Sequence, residues 1–228
     1  MDSNSTKSKT LVLCAHPDDE VLGCGGTIAR LRSAGRHVSA VFLSMGVGAR
    51  GSNAGEASRR YRAATEAAKT LGGYDVEVMD FPDNQMDTVG FLEIVKAIEA
   101  AVKRLKPNVI YTHHANDLNI DHAIVHRAVL TACRPLPGSS VRSIYAFETL
   151  SSTEWEPAGL GRQFQPTRFV DISNSLDAKM GAMRAYGEEM RPFPHPRSPE
   201  AIEALARFRG AQSGLLAAEA FVVVREIT

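Results

Sequence analysis

The stretch that decides the fold lies near the amino end and reads Thr10-Leu11-Val12-Leu13-Cys14-Ala15-His16-Pro17-Asp18-Asp19-Glu20. Its first six residues are apolar or β-favouring, which predicts a buried strand. After the turn, apolar residues recur at helical spacing, at Val21, Leu22, Ile28 and Leu31. A strand that passes directly into a helix is typical of α/β folds, and the turn between them is where such folds bind ligands.

Predicted strands and helices alternate beyond this stretch. The strands are Val38–Leu43, Val76–Phe81 and Val109–Thr112, and the helices are Glu56–Leu71, Val89–Leu105 and Asp121–Cys133. Strands that are apolar on both faces favour a parallel sheet covered by helices, with right-handed crossovers. The sequence therefore predicts an α/β fold, a Rossmann-like three-layer sandwich with a mostly parallel sheet.

The last third of the chain has a less regular pattern. Strands are predicted at Ser143–Glu148, Phe169–Ile172 and Phe221–Glu226, and a proline-rich loop, Arg191–Pro199, leads into a helix. We find no internal repeat and no change of composition that marks a boundary. We expect a single domain over residues 1–228, with residues 1–9 as a flexible tail.

Composition restricts the class of protein. The 26 basic and 26 acidic side chains cancel, which argues against a nucleic-acid partner. The three cysteines do not form a disulfide or thiolate-zinc pattern, so a reducing compartment is expected. No apolar stretch reaches the roughly 20 residues of a membrane span. We expect a soluble, cytoplasmic protein without stable membrane insertion, and assembly into a homo-oligomer stays open.

Several groups that can bind a metal follow the first strand. His16, Asp18 and Asp19 lie within one turn, and closely spaced carboxylates repel each other unless a positive charge lies between them. An imidazole beside them favours zinc, with other divalent metals as alternatives. The simpler alternative is an aspartate that only caps the helix, but it does not explain all three polar residues together.

A second polar group follows the predicted strand Val109–Thr112. It includes His113, Asn119 and His122. Because parallel strands end at the same edge of a sheet, His122 can complete a three-ligand site with residues of the first group and leave a position for water. His126, one helical turn beyond His122, is the alternative ligand.

Several motifs of this sequence together resemble those of a known family. Ala15-His16-Pro17-Asp18-Asp19-Glu20, the glycines Gly23, Gly25 and Gly26, and the segment from Asn116 to His122 resemble the LmbE-like, or PIG-L, N-acetylglucosaminyl deacetylases. The resemblance extends to Arg209-Gly210 and Ala218-Glu219-Ala220-Phe221 near the end of the chain. It implies a Rossmann-like zinc hydrolase.

The resemblance also implies roles for single residues. His16, Asp19 and His122 correspond to the zinc ligands and Asp18 to the general base. Many members carry a histidine three residues before the last ligand, and this chain has Asn119 there. An amide can donate to an oxyanion but cannot deliver a proton, so we expect Asp18 to return the proton, with assistance from His113.

Four further residues are candidates for substrate binding. Arg59 begins a helix after the glycine-rich loop, where family members often place an arginine, and Asp117 lies in the second polar group. His195 and Arg197 lie in the proline-rich loop, which could cover a substrate. A solvated helix face and a rigid surface loop are the simpler alternatives.

The hypothesis is a zinc-dependent hydrolase that removes the N-acetyl group of an N-acetylglucosamine-type amino sugar or its conjugate. The partner is then a small N-acetylated sugar. The alternatives are a zinc amide or ester hydrolase with a non-sugar substrate, a non-catalytic metal- or sugar-binding protein, and a nucleotide-dependent oxidoreductase. The last is disfavoured because the glycine spacing after His16 does not match a dinucleotide-binding turn.

Overall fold

Strand β1 (Lys9–Cys14) lies inside a seven-stranded sheet, with a parallel neighbour on each side. The structure is a computed structural model that describes residues 8–48, 54–157, 159, 161 and 163–228. The other strands are β2 (His37–Phe42), β3 (Asp75–Val78), β4 (Val109–His113), β5 (Ser143–Phe147), β6 (Arg168–Asp171) and β7 (Ala218–Glu226). The helices are α1 (Asp19–Ser33), α2 (Ala54–Thr70), α3 (Phe91–Leu105), α4 (Ile120–Ala132), α5 (Leu176–Ala185) and α6 (Pro199–Ala211).

The strand order is β3-β2-β1-β4-β5-β7-β6. All pairs from β3 to β5 are parallel, and only β7 runs antiparallel, to both β5 and β6. The prediction of a Rossmann-like α/β fold with a mostly parallel sheet is confirmed. Parallel pairing places the carboxyl ends of β1, β2 and β4 at one edge of the sheet.

The two faces of the sheet are covered by different helices. Along β1, Val12 and Cys14 pack on the side of α1, α2 and α5, whereas Leu11 and Leu13 pack on the side of α3 and α4. All four side chains are buried. Alternate residues of a strand point to opposite faces, so a strand covered on both sides has to be apolar throughout.

Three elements differ markedly from the sequence prediction. Strand β3 ends at Val78, short of the predicted Phe81, β7 begins at Ala218, before the predicted Phe221, and α5 was not predicted. The buried stripe of α5 consists of Leu176, Lys179, Ala182 and Met183. A buried lysine interrupts the apolar pattern by which such a helix is recognised.

Parts of two predicted segments lie outside the described residues. These are residues 1–7 of the predicted tail and residues 49–53 of the predicted glycine-rich loop, which covers residues 46–55. In the described part of the chain, no helix has both the length and the apolar character that crossing a membrane requires.

The glycines that follow the first motif allow close packing of α1. A Cβ atom on Gly26 would lie 2.8 Å from side-chain atoms of Ile172, closer than real Cβ contacts. A Cβ atom on Gly23 would overlap the ring of Phe147, in β5. The glycines therefore have a packing reason that requires no bound nucleotide.

Helix α1 is interrupted at Cys24, whose backbone angles (φ −149°, ψ 24°) are not helical. An interruption of this kind leaves amides and carbonyls near the break without their helical partners. Because α1 is buried along most of its length, water cannot replace those partners.

A buried ion pair provides the missing partners. Glu219, from β7, accepts hydrogen bonds from the amides of Gly26 (2.9 Å) and Thr27 (2.7 Å). Lys179, from α5, donates to the carbonyl of Leu22 (2.8 Å) and to Glu219 (2.6 Å). The pair thus joins α1, α5 and β7 at the break.

We predict that Lys179→Met lowers the free energy of unfolding by about 3–5 kcal/mol, because Glu219 would remain buried without its cation. Urea denaturation measures the change.

Lys69→Met is the matched control. Lys69 pairs with Glu66 at 3.3 Å on an exposed helix surface, and its loss is expected to cost less than about 1 kcal/mol. Equal decreases in the free energy of unfolding in the two variants would contradict a stabilising role of the buried pair.

Candidate functional site

The candidate site lies where β1 and β4 end. Asp18 and Asp19 stand at the start of α1, directly after β1 and His16, and His122 lies in the first turn of α4, after β4. The strands are parallel neighbours, with Thr10 opposite Val109. Residues far apart in sequence therefore meet at one edge of the sheet.

His16, Asp19 and His122 form the central cluster. One ligand atom of each lies within 4.8 Å of the others, and all three residues are buried. Asp19 Oδ1 has no hydrogen-bond partner among the described residues, and His122 Nε2 lies 3.4 Å from it. A buried carboxylate oxygen without a partner is costly, and a cation would remove that cost. Two imidazoles and one carboxylate match the ligands of a catalytic zinc site.

Each imidazole of the cluster has a carboxylate on its outer side. His16 Nε2 donates to Asp121 Oδ2 (3.1 Å), and His122 Nδ1 donates to Asp117 Oδ1 (3.1 Å). The other ring nitrogens, His16 Nδ1 and His122 Nε2, therefore face Asp19. Such outer carboxylates orient metal-binding histidines and increase their basicity.

Two further groups among the residues that the structure describes have ligand-like spacing. They are His16, Asp83 and Asp121, and His113, Asp117 and His122. Asp121 already accepts from the amides of Asn84 (2.7 Å) and Met86 (3.0 Å). Asp117 accepts from the hydroxyls of Ser152 and Thr153. Their carboxylates are committed to protein donors, so we assign them to the outer side of the central cluster.

The charges of the site favour a positive group at its centre. Burial by itself lowers the pKa of His122, but the nearby carboxylates of Asp19 and Asp117 outweigh it and raise that pKa to about 9. Burial by itself raises the pKa of Asp117, but its hydrogen bond with His122 outweighs this and lowers the pKa to about 2. A bound cation would meet the same need for positive charge.

Asp18 lies beside the cluster in a strained conformation. Its φ of 119° is in the left-handed region, which costs a non-glycine residue about 1–3 kcal/mol. Arg197 Nη1 donates to Asp18 Oδ2 (2.8 Å). Burial raises the pKa of Asp18 to about 6, even though the charge of Arg197 opposes the shift.

A buried arginine from α2 supports the same turn. Arg60 donates to the carbonyl of Pro17 (3.1 Å) and lies 3.8 Å from Asp18 Oδ2. Its other nitrogen pairs with Glu189, which also accepts from Arg197 (3.3 Å). Two arginines and one glutamate thus surround the Asp18 carboxylate.

A polar cavity of about 80 Å³ opens beside the cluster. The residues that line it are His16, Asp18, Gly46, Arg60, Asp83, Asn84, Asn119, Glu189 and Arg197. One water molecule needs about 10–15 Å³ of cavity volume measured in this way, so the cavity has room for several waters or for a polar group of similar size. The cavity therefore fits the reacting part of a larger molecule.

The family model of PIG-L, the GlcNAc-PI de-N-acetylase, matches residues 11–133. The chain belongs to the PIG-L family. The matched range contains the central cluster, Asp18, Arg60 and Asn119, whereas Glu189 and Arg197 lie beyond it.

Relatives and a solved structure agree with this family. The uncharacterized deacetylase YaiS of Escherichia coli is 29% identical over 192 residues, which cover 82% of this chain and 94% of that protein. The diacetylchitobiose deacetylase of Thermococcus kodakarensis is 25% identical over 220 residues, covering 90% and 79%. The crystal structure of the conserved protein TT1542 from Thermus thermophilus has a TM-score of 0.76 and 27% identity, and 96% of each chain is covered.

Asn119 occupies the position at which the resemblance implies a histidine in many family members. Its side chain caps α4: Oδ1 accepts from the Asp121 amide (2.9 Å), and Nδ2 donates to Asn84 Oδ1 (3.0 Å). The amide group is thereby held in one orientation at the cavity wall. An amide nitrogen has two hydrogens, so one remains for another acceptor.

His113 lies behind the cluster and has no exposed surface. Its Nε2 accepts from the Ala15 amide (2.9 Å), and its ring stacks on His122 with centroids 3.8 Å apart. Burial, together with the charge of His122, lowers the pKa of His113 to about 4. This neutral ring supports β1 and His122, and it does not line the cavity.

Three of the residues predicted to bind substrate do not line the cavity either. Arg59 is half exposed and pairs with Glu188 (3.0 Å). Asp117 lies beneath His122, as described above. His195 faces Trp155, with ring centroids 5.7 Å apart, and its Nδ1 accepts from the Arg197 amide (3.0 Å). Of the predicted substrate residues, only Arg197 lines the cavity.

Some residues of the site were not predicted from sequence. Arg60 follows Arg59 directly, and its position four residues before buried Ala64 places it on the buried face of α2. Asp83 and Asn84 lie in the segment after β3, as His16 lies in the segment after β1, so polar residues that follow a strand are the signal that could have found them. Glu189 has no comparable signal, because it lies in an irregular segment after α5.

We predict that His122→Ala raises the Kd for zinc by more than about 100-fold. Loss of an outer partner of a ligand already costs about 10–100-fold in affinity, and loss of a ligand removes more. Titration of the metal-free protein with zinc against a competing chelator measures the effect.

His126→Ala is the control. His126 Nδ1 donates to the carbonyl of His113 (2.8 Å) and belongs to none of the metal-binding groups found among the described residues. We expect this variant to keep the wild-type affinity. Loss of zinc affinity in His126→Ala but not in His122→Ala would assign the third ligand to His126.

Proposed function

We propose that this protein is a zinc-dependent hydrolase that removes the N-acetyl group from an N-acetylglucosamine-type amino sugar or its conjugate. The products are acetate and the free amine. The proposal is carried by one observation: a buried cluster of two histidines and one aspartate lies beside a second, strained aspartate in a polar cavity. The deacetylase activity of the named relatives supports it.

His16, Asp19 and His122 would hold the metal. When bound, zinc polarises an amide carbonyl and makes a water molecule more acidic. Asp117 and Asp121 keep the two imidazoles oriented for this task through their hydrogen bonds to the outer ring nitrogens.

Asp18 would move the proton. Arg197 holds its Oδ2, which turns the carboxylate toward the cavity and leaves Oδ1 to accept a proton from the attacking water. With a pKa of about 6, Asp18 can take a proton near neutrality and return it to the leaving amine. This double role is needed because Asn119 cannot deliver a proton and His113 is buried with its Nε2 occupied.

Asn119 would stabilise the negative charge that develops on the carbonyl oxygen. Its amide is already oriented by Asp121 and Asn84, so the remaining N–H needs no reorganisation during the reaction. One preorganised donor of this kind lowers the activation free energy by about 3 kcal/mol in hydrolases.

The polar wall of the cavity favours a hydroxyl-rich substrate. Arg60, Asp83, Asn84 and Glu189 present donors and acceptors, and no apolar side chain lines this cavity among the described residues. An apolar or aromatic group placed there would displace water from these polar side chains and offer them no hydrogen bond in return.

The function is tested by measuring amine release from a panel of substrates. The panel contains N-acetylglucosamine, N,N′-diacetylchitobiose, and lipid-linked, nucleotide-linked and thiol-conjugated N-acetylglucosamine, each with and without a chelator. We expect equimolar amine and acetate that disappear with the chelator and return with zinc. Cleavage of simple esters and amides without any of the sugars would replace the sugar deacetylase with a general zinc amide or ester hydrolase.

We predict that Asp18→Asn lowers kcat by about 10²–10⁴-fold, the usual contribution of a general acid–base group. The amide cannot accept the proton from water, while the zinc ligands are unchanged. Steady-state kinetics and metal analysis of the same preparation measure both effects.

Asp75→Asn provides the matched control, because Asp75 is exposed on β3 and pairs only with His37 among the described residues. We expect the kcat and zinc content of this variant to equal those of the wild type. Normal turnover by the Asp18 variant with full zinc content would remove Asp18 from the proposed mechanism.

A further inference from the structure

Glu20 is a buried acid that the proposed mechanism does not use. It is the second residue of α1, and its side chain has no exposed surface. It accepts three hydrogen bonds. Oε1 accepts from the hydroxyls of Tyr74 (2.9 Å) and Tyr186 (2.7 Å), and Oε2 accepts from the backbone amide of Asp18 (3.0 Å).

The bond to the Asp18 amide acts on a strained part of the chain. Asp18 has φ 119°, a conformation that persists only where the surroundings enforce it. Its carboxylate is held from outside by Arg197, and its amide is held from inside by Glu20. The two bonds together determine which way the Asp18 side chain points.

The tyrosines explain how Glu20 keeps its position. Tyr74 lies just before β3, and Tyr186 follows α5, so two distant segments hold one oxygen of Glu20 and leave the other for Asp18. Tyr186 also leads directly into the segment that carries Glu189, the partner of Arg60 and Arg197. The inner and outer supports of Asp18 are therefore connected along the chain, with only two residues between Tyr186 and Glu189.

We infer that Glu20 is a positioning residue, which holds the backbone of Asp18 in its strained conformation so that the Asp18 carboxylate faces the reacting water. The inference rests on the proposed function of Asp18. It assigns no contact between Glu20 and substrate or metal.

The kinetic test compares Glu20→Met and Glu20→Gln in the zinc-loaded enzyme. Methionine has a similar length but cannot accept the Asp18 amide, and we expect kcat to fall by about 100-fold, as for a misplaced catalytic group. KM and zinc affinity should stay within about threefold of wild type, because the binding groups are untouched. Glutamine can turn its oxygen to Asp18 and its NH₂ to the tyrosines, so it should restore most of kcat.

General destabilisation needs its own control. Lys179→Met weakens α1 at Cys24, away from the Asp18 turn, and should keep the wild-type kcat at temperatures well below its melting point. If Glu20→Met does not fold, the double variant Tyr74→Phe, Tyr186→Phe takes its place. With Glu20 held by Asp18 alone, kcat should fall several-fold at unchanged KM.

A second readout does not depend on activity. In the ¹⁵N-labelled, zinc-loaded protein, the amide proton of Asp18 should resonate downfield because it bonds to a carboxylate. Glu20→Met should move it upfield and speed its exchange with solvent. If no substrate is turned over but this signal responds, the proposed function fails and the structural link stands.

Two results would overturn the inference. One is a wild-type kcat in Glu20→Met, or in the double tyrosine variant if that is the one that folds. The other is an Asp18 amide signal that does not respond to loss of the Glu20 acceptor.

Discussion

Two adjacent parallel strands, β1 and β4, end at the same edge of the sheet, and everything at the site depends on this pairing. It places His16 and Asp19, from the first exit, against His122, from the second. Helices cover both faces of the sheet, and the side chains that meet at this edge are buried. Charges that would be harmless in water interact strongly there, and each one needs a partner.

The site meets this need in layers. Asp117 and Asp121 hold the outer nitrogens of the two imidazoles, and both are held in turn by hydroxyls or backbone amides. At the centre, no described residue donates a hydrogen bond to Asp19 Oδ1. The raised pKa of His122 indicates that this centre favours positive charge, and a bound cation would supply that charge. Beyond the centre, Arg197 and Arg60 neutralise Asp18 and Glu189, so that the cavity is polar but balanced.

The backbone near this site is irregular at two places, and side-chain contacts hold it at both. The left-handed backbone of Asp18 requires support from both sides, and the break of α1 at Cys24 requires the Lys179–Glu219 pair a short distance along the same helix. Arg197, Lys179 and Glu219, which contribute to these two supports, come from segments late in the chain. The carboxyl-terminal part therefore does more than complete the sheet, since it holds the first helix and the turn before it in shape.

By itself, the sequence determined the alternation of strands and helices, the mostly parallel sheet and the family. It also indicated the three side chains that meet at the sheet edge, because strand periodicity and polar residues at strand ends are local signals. Their chemical roles stay predictions. Only the tertiary structure decided that Arg60 rather than Arg59 faces Asp18. It also decided which other residues line the cavity, namely Asp83, Asn84 and Glu189. Finally, it placed His113 and Asp117 behind His122. These facts depend on which face of an element is buried and on contacts between segments distant in sequence. A one-residue difference in helix phase changes a side chain from solvent to site, and only the packed arrangement specifies that phase.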